Sequence, residues 1–229
     1  MSDLAPPSDK KLEVTMALIK GALGSIPFVG SVATELTGLI DPFEARKDKW
    51  ARTIAKVVEE IRESQKILPE TLAANESFIS FLYQSTHIAI LNHQQEKTEA
   101  LRNALISTVS LRLPSEEIIF QYLRYIDELT VSHINILSFI NEHAETYAKH
   151  HSLEEVLITT EQHFSTTFER SHFRAIMYDL ANRSLVQFTD LDDFDEFASG
   201  VASIITEQSS KKPMHITQLG KGFLDFIRR

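Results

Sequence analysis

Residues 12–40 read LEVTMALIKGALGSIPFVGSVATELTGLI and carry four of the chain's seven glycines. Between Lys20 and Glu35 this stretch has no charged residue. Apolar residues recur at helical spacing in one stripe before Pro27 and in another after it. The first stripe is Leu12, Met16, Ile19 and Leu23, and the second is Phe28, Val32, Leu36 and Leu39. Because proline lacks the backbone donor that a helix interior needs, the pattern predicts a helical hairpin with its turn at 25–27.

Small residues recur at every fourth position on both arms of this predicted hairpin. Each glycine in a helix costs about 1 kcal/mol relative to alanine, so their register predicts two closely packed backbones. A spanning helix needs about 20 apolar residues and each arm has only about 13. We therefore expect the hairpin to be the core of a helical bundle, with insertion into a membrane as the alternative. The residues predicted for this role are Ala17, Gly21, Ser25, Pro27, Gly30, Thr34 and Gly38.

Basic residues follow the hairpin and surround the chain's single tryptophan. A basic segment with an aromatic residue beside an apolar hairpin is typical of an interfacial membrane anchor. The solvated face of an ordinary helix has the same composition, and we favour that interpretation. The basic patch consists of Arg46, Lys47, Lys49, Trp50, Arg52 and Lys56.

The composition predicts a globular, cytoplasmic protein. With 229 residues, 43% of them hydrophobic, the chain can form one sizeable domain or two small ones. Cysteine is absent, which excludes disulfides and thiolate ligands. A net charge of -9 opposes general attraction to nucleic acid or anionic lipid. Residues 1–11 lack the pattern of a secretory signal and are predicted to be a disordered lead.

Caps, prolines and apolar periodicity predict three long helices in the middle of the chain. The third has apolar residues at alternating steps of three and four, a seam typical of helical bundles, and His133 lies on it. The three predicted helices span 41–68, 75–111 and 115–140, and they begin at Asp41, Asn75 and Ser115.

The C-terminal part of the chain departs from helical periodicity. Residues 185–189 and 214–216 are predicted to be short strands, and a helix is predicted over 217–227. A winged helix has its elements in the order helix, strand, insert, strand, helix. We therefore predict an all-α protein, with a helical bundle at 12–150 and a winged-helix-like subdomain at 151–229.

Three segments resemble a family of uncharacterised bacterial helical proteins. They are HIAILNHQQEKTEALRNAL at 87–105, YIDELTVSHINIL at 125–137 and ITQLGKGFLDFI at 216–227. Members of that family also begin with a glycine- and proline-containing apolar hairpin. The resemblance implies a bacterial protein and a fold, and it implies no activity.

Signatures of catalysis and of metal or cofactor binding are missing from the sequence. No G-x-S-x-G or glycine-rich phosphate loop occurs. Glu169 and His172 have the spacing of a di-iron ligand pair, but such a site needs two such motifs. The sequence predicts neither an enzyme, nor a metal site, nor a cofactor.

Binding of nucleic acid would depend on the predicted winged helix. Its recognition helix would offer Arg170, Arg174 and Arg183 to phosphates. The insert at 190–196, where a basic wing should lie, is instead acidic and would repel DNA. We therefore expect a non-catalytic interaction or regulatory protein that acts through a protein partner or self-association. A membrane-associating protein and a DNA-binding regulator are the alternatives.

Overall fold

The protein is all-α in the computed structural model, which confirms the predicted class. The structure describes residues 7–24, 42–109, 115–147, 155, 158–160, 162, 169–187 and 214–228. These residues form ten helices and one two-stranded antiparallel sheet. The chain divides into two compact units. Unit 1 consists of Met1–Glu128 and Phe226–Arg229, and unit 2 consists of Leu129–Asp225.

Unit 1 is a bundle in which helices pack both on sequence neighbours and on helices further along the chain, such as α2 on α4 and α5. Phe226, near the end of the chain, also packs here, with its ring centroid 6.0 Å from that of Phe81 and 5.4 Å from that of Tyr122. The helices of unit 1 are α1 (Pro7–Gly24), α2 (Pro42–Gln65), α3 (Pro69–Ala73), α4 (Glu76–Leu91), α5 (Gln95–Ser107) and α6 (Glu116–Glu128).

Unit 2 combines helices with the small sheet. Strands β1 and β2 are antiparallel, and Val186 pairs with Ile216. The last two residues of the final helix belong to unit 1. The elements are α7 (Val131–Glu142), α8 (Ala144–Tyr147), α9 (Arg170–Asn182), β1 (Val186–Gln187), β2 (His215–Ile216) and α10 (Gln218–Ile227).

The amphipathic pattern of α2 decides which of its faces is buried. Buried residues recur at steps of three and four, so they form one stripe along the helix. The opposite face carries charged side chains that are exposed or half-buried. The buried residues of α2 are Trp50, Ile54, Val57, Val58 and Ile61.

Two of the predicted long helices are each broken in the structure, which corrects the sequence interpretation. Asn92 ends α4 with an extended backbone (ψ 137°), and its side chain donates to the Ile88 carbonyl at 3.0 Å. Thr130 separates α6 from α7, and its side chain accepts from the His133 amide at 3.4 Å. Short polar side chains that bond the local backbone compete with a continuing helix. By contrast, Asn75 caps α4 as predicted, accepting from the Phe78 amide at 3.0 Å.

The first arm of the predicted hairpin is helical, as α1, but its buried face differs from the predicted stripe. Leu18, Ile19 and Ala22 are buried. Leu12 keeps 65% of its surface exposed and Met16 keeps 43%, although both belong to that stripe. The turn, the second arm and residues 1–6 of the predicted lead lie outside the described residues. Residues 7–11 of that lead, predicted to be disordered, instead form the start of α1.

The boundary predicted after residue 150 falls inside unit 2. Helix α7 packs against α9 and β2, so it belongs with the C-terminal elements rather than with the bundle. The physical reason is the cap at Thr130, which ends the continuous seam that the sequence suggested.

Candidate functional site

The structure describes two of the residues predicted for close hairpin packing. Ala17 is exposed. Gly21 is half-buried, and a Cβ atom on it would lie 2.8 Å from the Tyr83 hydroxyl oxygen. Among the described residues, the close neighbour of this glycine is therefore the Tyr83 side chain. The remaining members, Ser25, Pro27, Gly30, Thr34 and Gly38, lie outside the described residues.

Trp50, the aromatic member of the predicted basic patch, is a core residue of unit 1. Only 1% of its surface is exposed. Its indole Nε1 donates to Thr86 Oγ1 at 2.9 Å, and Thr86 Oγ1 donates in turn to the Leu82 carbonyl at 2.7 Å. A buried indole needs such a partner, because an unsatisfied donor costs about 1–3 kcal/mol. Trp50 is therefore not an exposed interfacial aromatic.

Two basic residues of the patch bind groups within unit 1. Arg46 donates to the carbonyls of Pro42 at 3.2 Å and Leu91 at 3.3 Å, and its Cζ lies 4.5 Å from the centre of the Phe43 ring. Lys47 donates to Glu44 at 2.7 Å. The bond to Leu91 joins the start of α2 to the end of α4, and the contacts restrict both side chains.

The other three basic residues form an exposed row on α2. Lys49, Arg52 and Lys56 are separated by three and four positions, so they lie on one face of the helix. Their side chains make no hydrogen bond or ion pair with any residue in the described part of the chain. We call this set the α2 basic row.

In unit 2, α9 presents a face of neutral side chains. Phe173, Ile176, Met177 and Leu180 are buried on its inner side. Tyr178 lies on the outer side and keeps 49% of its surface exposed. We call the exposed residues Ser171, Ala175, Tyr178 and Asn182 the α9 face.

Charged residues beside the α9 face form a chain of contacts that the sequence did not predict. Thr130 Oγ1 lies 2.7 Å from His133 Nδ1, and His133 Nε2 lies 3.4 Å from Asp179 Oδ2. Asp179 Oδ1 accepts from Arg183 Nε at 3.0 Å. These groups fasten the start of α7 to α9. His133 was predicted to be an apolar-seam histidine, and it instead completes a capping box with Thr130.

The three arginines that were predicted to contact nucleic acid do not share one environment in the structure. Arg183 bonds Asp179, as described above, and is half-buried. Arg174 is also half-buried, and its Nε atom is shielded from solvent. Arg170 opens α9, and its side chain lies outside the described part of the structure. The structure therefore does not show a row of exposed arginines on α9.

Lys97, in unit 1, is a buried lysine whose pKa is lowered. It keeps 6% of its surface exposed, and its Nζ donates to the Asp127 carbonyl at 2.5 Å. Burial lowers the pKa of Lys97 below its ordinary value of 10.5, and the Asp127 carboxylate raises it by a smaller amount. Because that carbonyl lies in the last turn of α6, it has no hydrogen-bond donor within the helix, and the lysine provides one.

We expect Lys97→Met to change the pH dependence of stability. Between the lowered pKa and 10.5 the unfolded chain binds more protons than the folded one, so the stability contributed by Lys97 rises with pH. At pH 7 the methionine variant should be within about 1 kcal/mol of the parent, since an apolar replacement removes both the hydrogen bond and the buried charge.

Urea denaturation of both proteins from pH 7 to pH 10 measures this difference. All other titrating groups are shared, so subtracting the two curves isolates the lysine. The parent should gain stability relative to Lys97→Met as the pH rises. A difference that is constant with pH, or that changes in the opposite direction, would contradict the lowered pKa.

The described residues contain no cluster of three or more histidine, cysteine, aspartate or glutamate side chains that could hold a metal ion. In the same part of the chain, no helix is long and apolar enough to cross a membrane. The resemblance to uncharacterised bacterial proteins stays a prediction. Comparisons of the chain with protein-family models, with curated proteins and with solved structures found no match.

Proposed function

We propose that the protein is a non-catalytic interaction or regulatory module, and that it binds a protein partner through the α9 face. In this proposal unit 2 is a winged-helix-like subdomain in which α9 takes the place of the recognition helix. The order of α9, β1, β2 and α10, with the two strands antiparallel, supports that topology. The apolar hairpin is proposed to be part of the bundle core.

The exposure of Tyr178 at the centre of the α9 face is the observation that carries the proposal. Ser171 and Ala175 precede it and Asn182 follows it on the same stripe of the helix, so the ring lies in a row of small or neutral side chains. The charged neighbour Arg174, four positions before it, is half-buried. Tyrosine is enriched among residues that dominate binding energy in protein interfaces, and charged residues are depleted from interface cores. The α9 face has this composition.

Recognition of DNA has less support from the same helix. The electrostatic part of DNA affinity needs accessible lysine or arginine side chains that neutralise phosphates. Asp179 holds Arg183 and would bring a negative charge to the nucleic acid. A recognition helix with a neutral face and an internally paired arginine suits a protein surface better.

Membrane association has less support from α2. An interfacial anchor uses an exposed aromatic residue at the level of the lipid headgroups. The tryptophan of the predicted anchor is buried in unit 1, and the exposed aromatic nearby is Phe43, whose ring contacts Arg46.

Replacing Tyr178 with alanine tests the proposed surface. A photoreactive benzoylphenylalanine at position 178 should crosslink to a protein partner in cells, and the captured protein can then be purified. Its affinity for Tyr178→Ala should be at least about tenfold weaker than for the parent, which is the size expected for a residue central to an interface.

Tyr83→Ala is the matched control, because Tyr83 is a similarly exposed tyrosine (37%) in unit 1. This variant should bind the partner as the parent does. Equal affinity of the partner for Tyr178→Ala and the parent would refute the α9 face as the site. Salt-sensitive binding of duplex DNA that requires Arg174 and Arg183 would favour the DNA-binding alternative.

A further inference from the structure

The exposed face of α2 is divided into a positive and a negative half. The α2 basic row occupies its N-terminal half. Acidic residues follow on the same face, opposite the buried stripe, and only Glu60 among them is half-buried rather than exposed. We call Glu59, Glu60 and Glu63 the α2 acidic row.

Within each row, the like charges are unfavourable for the helix itself. The favourable pairs at helical spacing include Asp48 with Arg52 and Lys56 with Glu60. Arg52 lies three positions after Lys49 and four before Lys56, and like charges at these spacings destabilise a helix. Glu63 follows Glu59 by four positions and Glu60 by three, so these like charges also destabilise the helix. Alternating opposite charges along the face would stabilise α2, so the separated arrangement fits contact with another molecule better than helix stability.

We propose that the α2 face of one molecule pairs with the same face of a second copy, with the two helices antiparallel. A two-fold axis places the basic row of each molecule against the acidic row of the other. With the axis level with Val58, Lys56 lies opposite Glu59 and Glu60, and Arg52 lies opposite Glu63. The charge complementarity required by such an interface is therefore contained in one helix.

Contacts already present on α2 favour some of these pairs over others. Glu59 is paired with Arg62 and Glu60 with Arg102, so each would share its carboxylate between two cations. Glu63 and Arg52 have no ion pair with any other residue that the structure describes. The Arg52–Glu63 pair, which the two-fold axis repeats, is therefore the pair to test.

The size of the surface predicts a weak and transient dimer. A helix of 24 residues is about 36 Å long, so the contact falls below the area of a standard stable interface. Exposed ion pairs contribute little individually, and the net charge of -9 on each molecule opposes association. This pairing uses unit 1 alone, so it is independent of the proposed partner surface on α9.

Sedimentation of the full chain over a concentration series tests the pairing. The parent should show a concentration-dependent dimer. Arg52→Glu and Glu63→Arg should each raise the dimer dissociation constant at least about tenfold, because each reversal replaces two attractive pairs by two repulsive ones. Lys221→Glu, at an exposed position of α10, is the control: it changes net charge as Arg52→Glu does and should not affect the dimer.

Sedimentation of a mixture of the two single variants is the decisive measurement. In the mixed dimer one contact between positions 52 and 63 keeps its original charges and the other has them reversed, so both are attractive. Arg52→Glu and Glu63→Arg should therefore form a mixed dimer at concentrations where each variant alone is monomeric. The double variant should also recover the parent's dimerisation. A monomeric parent at every concentration, or a mixture that stays monomeric, would overturn the proposal. Flotation of a monomeric parent with anionic vesicles would likewise overturn it and identify a lipid surface as the ligand of the basic row.

Discussion

Replacing Trp50 with alanine is expected to lower the free energy of unfolding by about 4 kcal/mol, the largest effect we predict for a single substitution. The side chain is almost completely buried on the inner stripe of α2, so its removal leaves a cavity that the surrounding helices fill only in part. The substitution also removes the indole donor of the hydrogen bond to Thr86. Urea denaturation followed by far-ultraviolet circular dichroism measures the loss without relying on tryptophan fluorescence.

Trp50→Phe separates the two contributions to this effect. Phenylalanine keeps much of the aromatic volume but has no N–H group, and Thr86 Oγ1 retains its bond to the Leu82 carbonyl. The phenylalanine variant should therefore lose substantially less stability than the alanine variant. If both variants keep the parent's stability but lose binding to anionic vesicles, Trp50 would be a membrane anchor and our assignment to the core would be wrong.

Helices were predictable wherever a local signal and the packing agreed. The side chain of Asn75 is a favourable N-cap, and the helix that follows it has a regular apolar pattern, so the predicted start of α4 is correct. The same agreement holds along α2, where apolar residues at steps of three and four form its buried stripe. Local backbone chemistry and burial both favour these helices.

The breaks at Asn92 and Thr130 were not predictable from periodicity alone. Apolar residues continue on both sides of each break, so a pattern search joins the helices. A single side chain that bonds the nearby backbone decides the outcome at each position. The contact between His133 and Asp179 was harder still to predict, because it joins residues far apart in the sequence.

The charges of α2 show how far the sequence determines the candidate sites. Periodicity predicts that Lys49, Arg52 and Lys56 share a face, and the structure places all three in solvent. Their sequence neighbours Arg46 and Lys47 are equally basic but are held by contacts within unit 1. Burial of Trp50 depends on the position of α4, which residues 46–56 do not encode.

Replacing Gly220 with alanine is expected to destabilise unit 2 by about 3 kcal/mol, at the upper end of the usual cost of overpacking. A Cβ atom at this position would lie 2.2 Å from the Leu185 carbonyl oxygen and 2.8 Å from Ile216 Cγ1. The carbonyl cannot move freely, because it accepts from the Thr217 amide at 3.1 Å. Thr217 also caps α10 by accepting from the Gly220 amide at 3.0 Å, so relief of the clash would disturb the connection between the sheet and α10.

Gly24→Ala is the control that separates this clash from the general effect of replacing glycine. Gly24 is the last residue of α1, and among the described residues a Cβ atom there would meet nothing within 4 Å. Alanine favours a helix over glycine by up to about 1 kcal/mol, so Gly24→Ala should be as stable as the parent or slightly more stable. Because both substitutions add one methyl group to a helical glycine, the difference between their denaturation midpoints reports the close approach of α10 to Leu185. Equal midpoints would show that unit 2 accommodates the methyl group, and that α10 is less closely packed on β1 and β2 than the structure indicates.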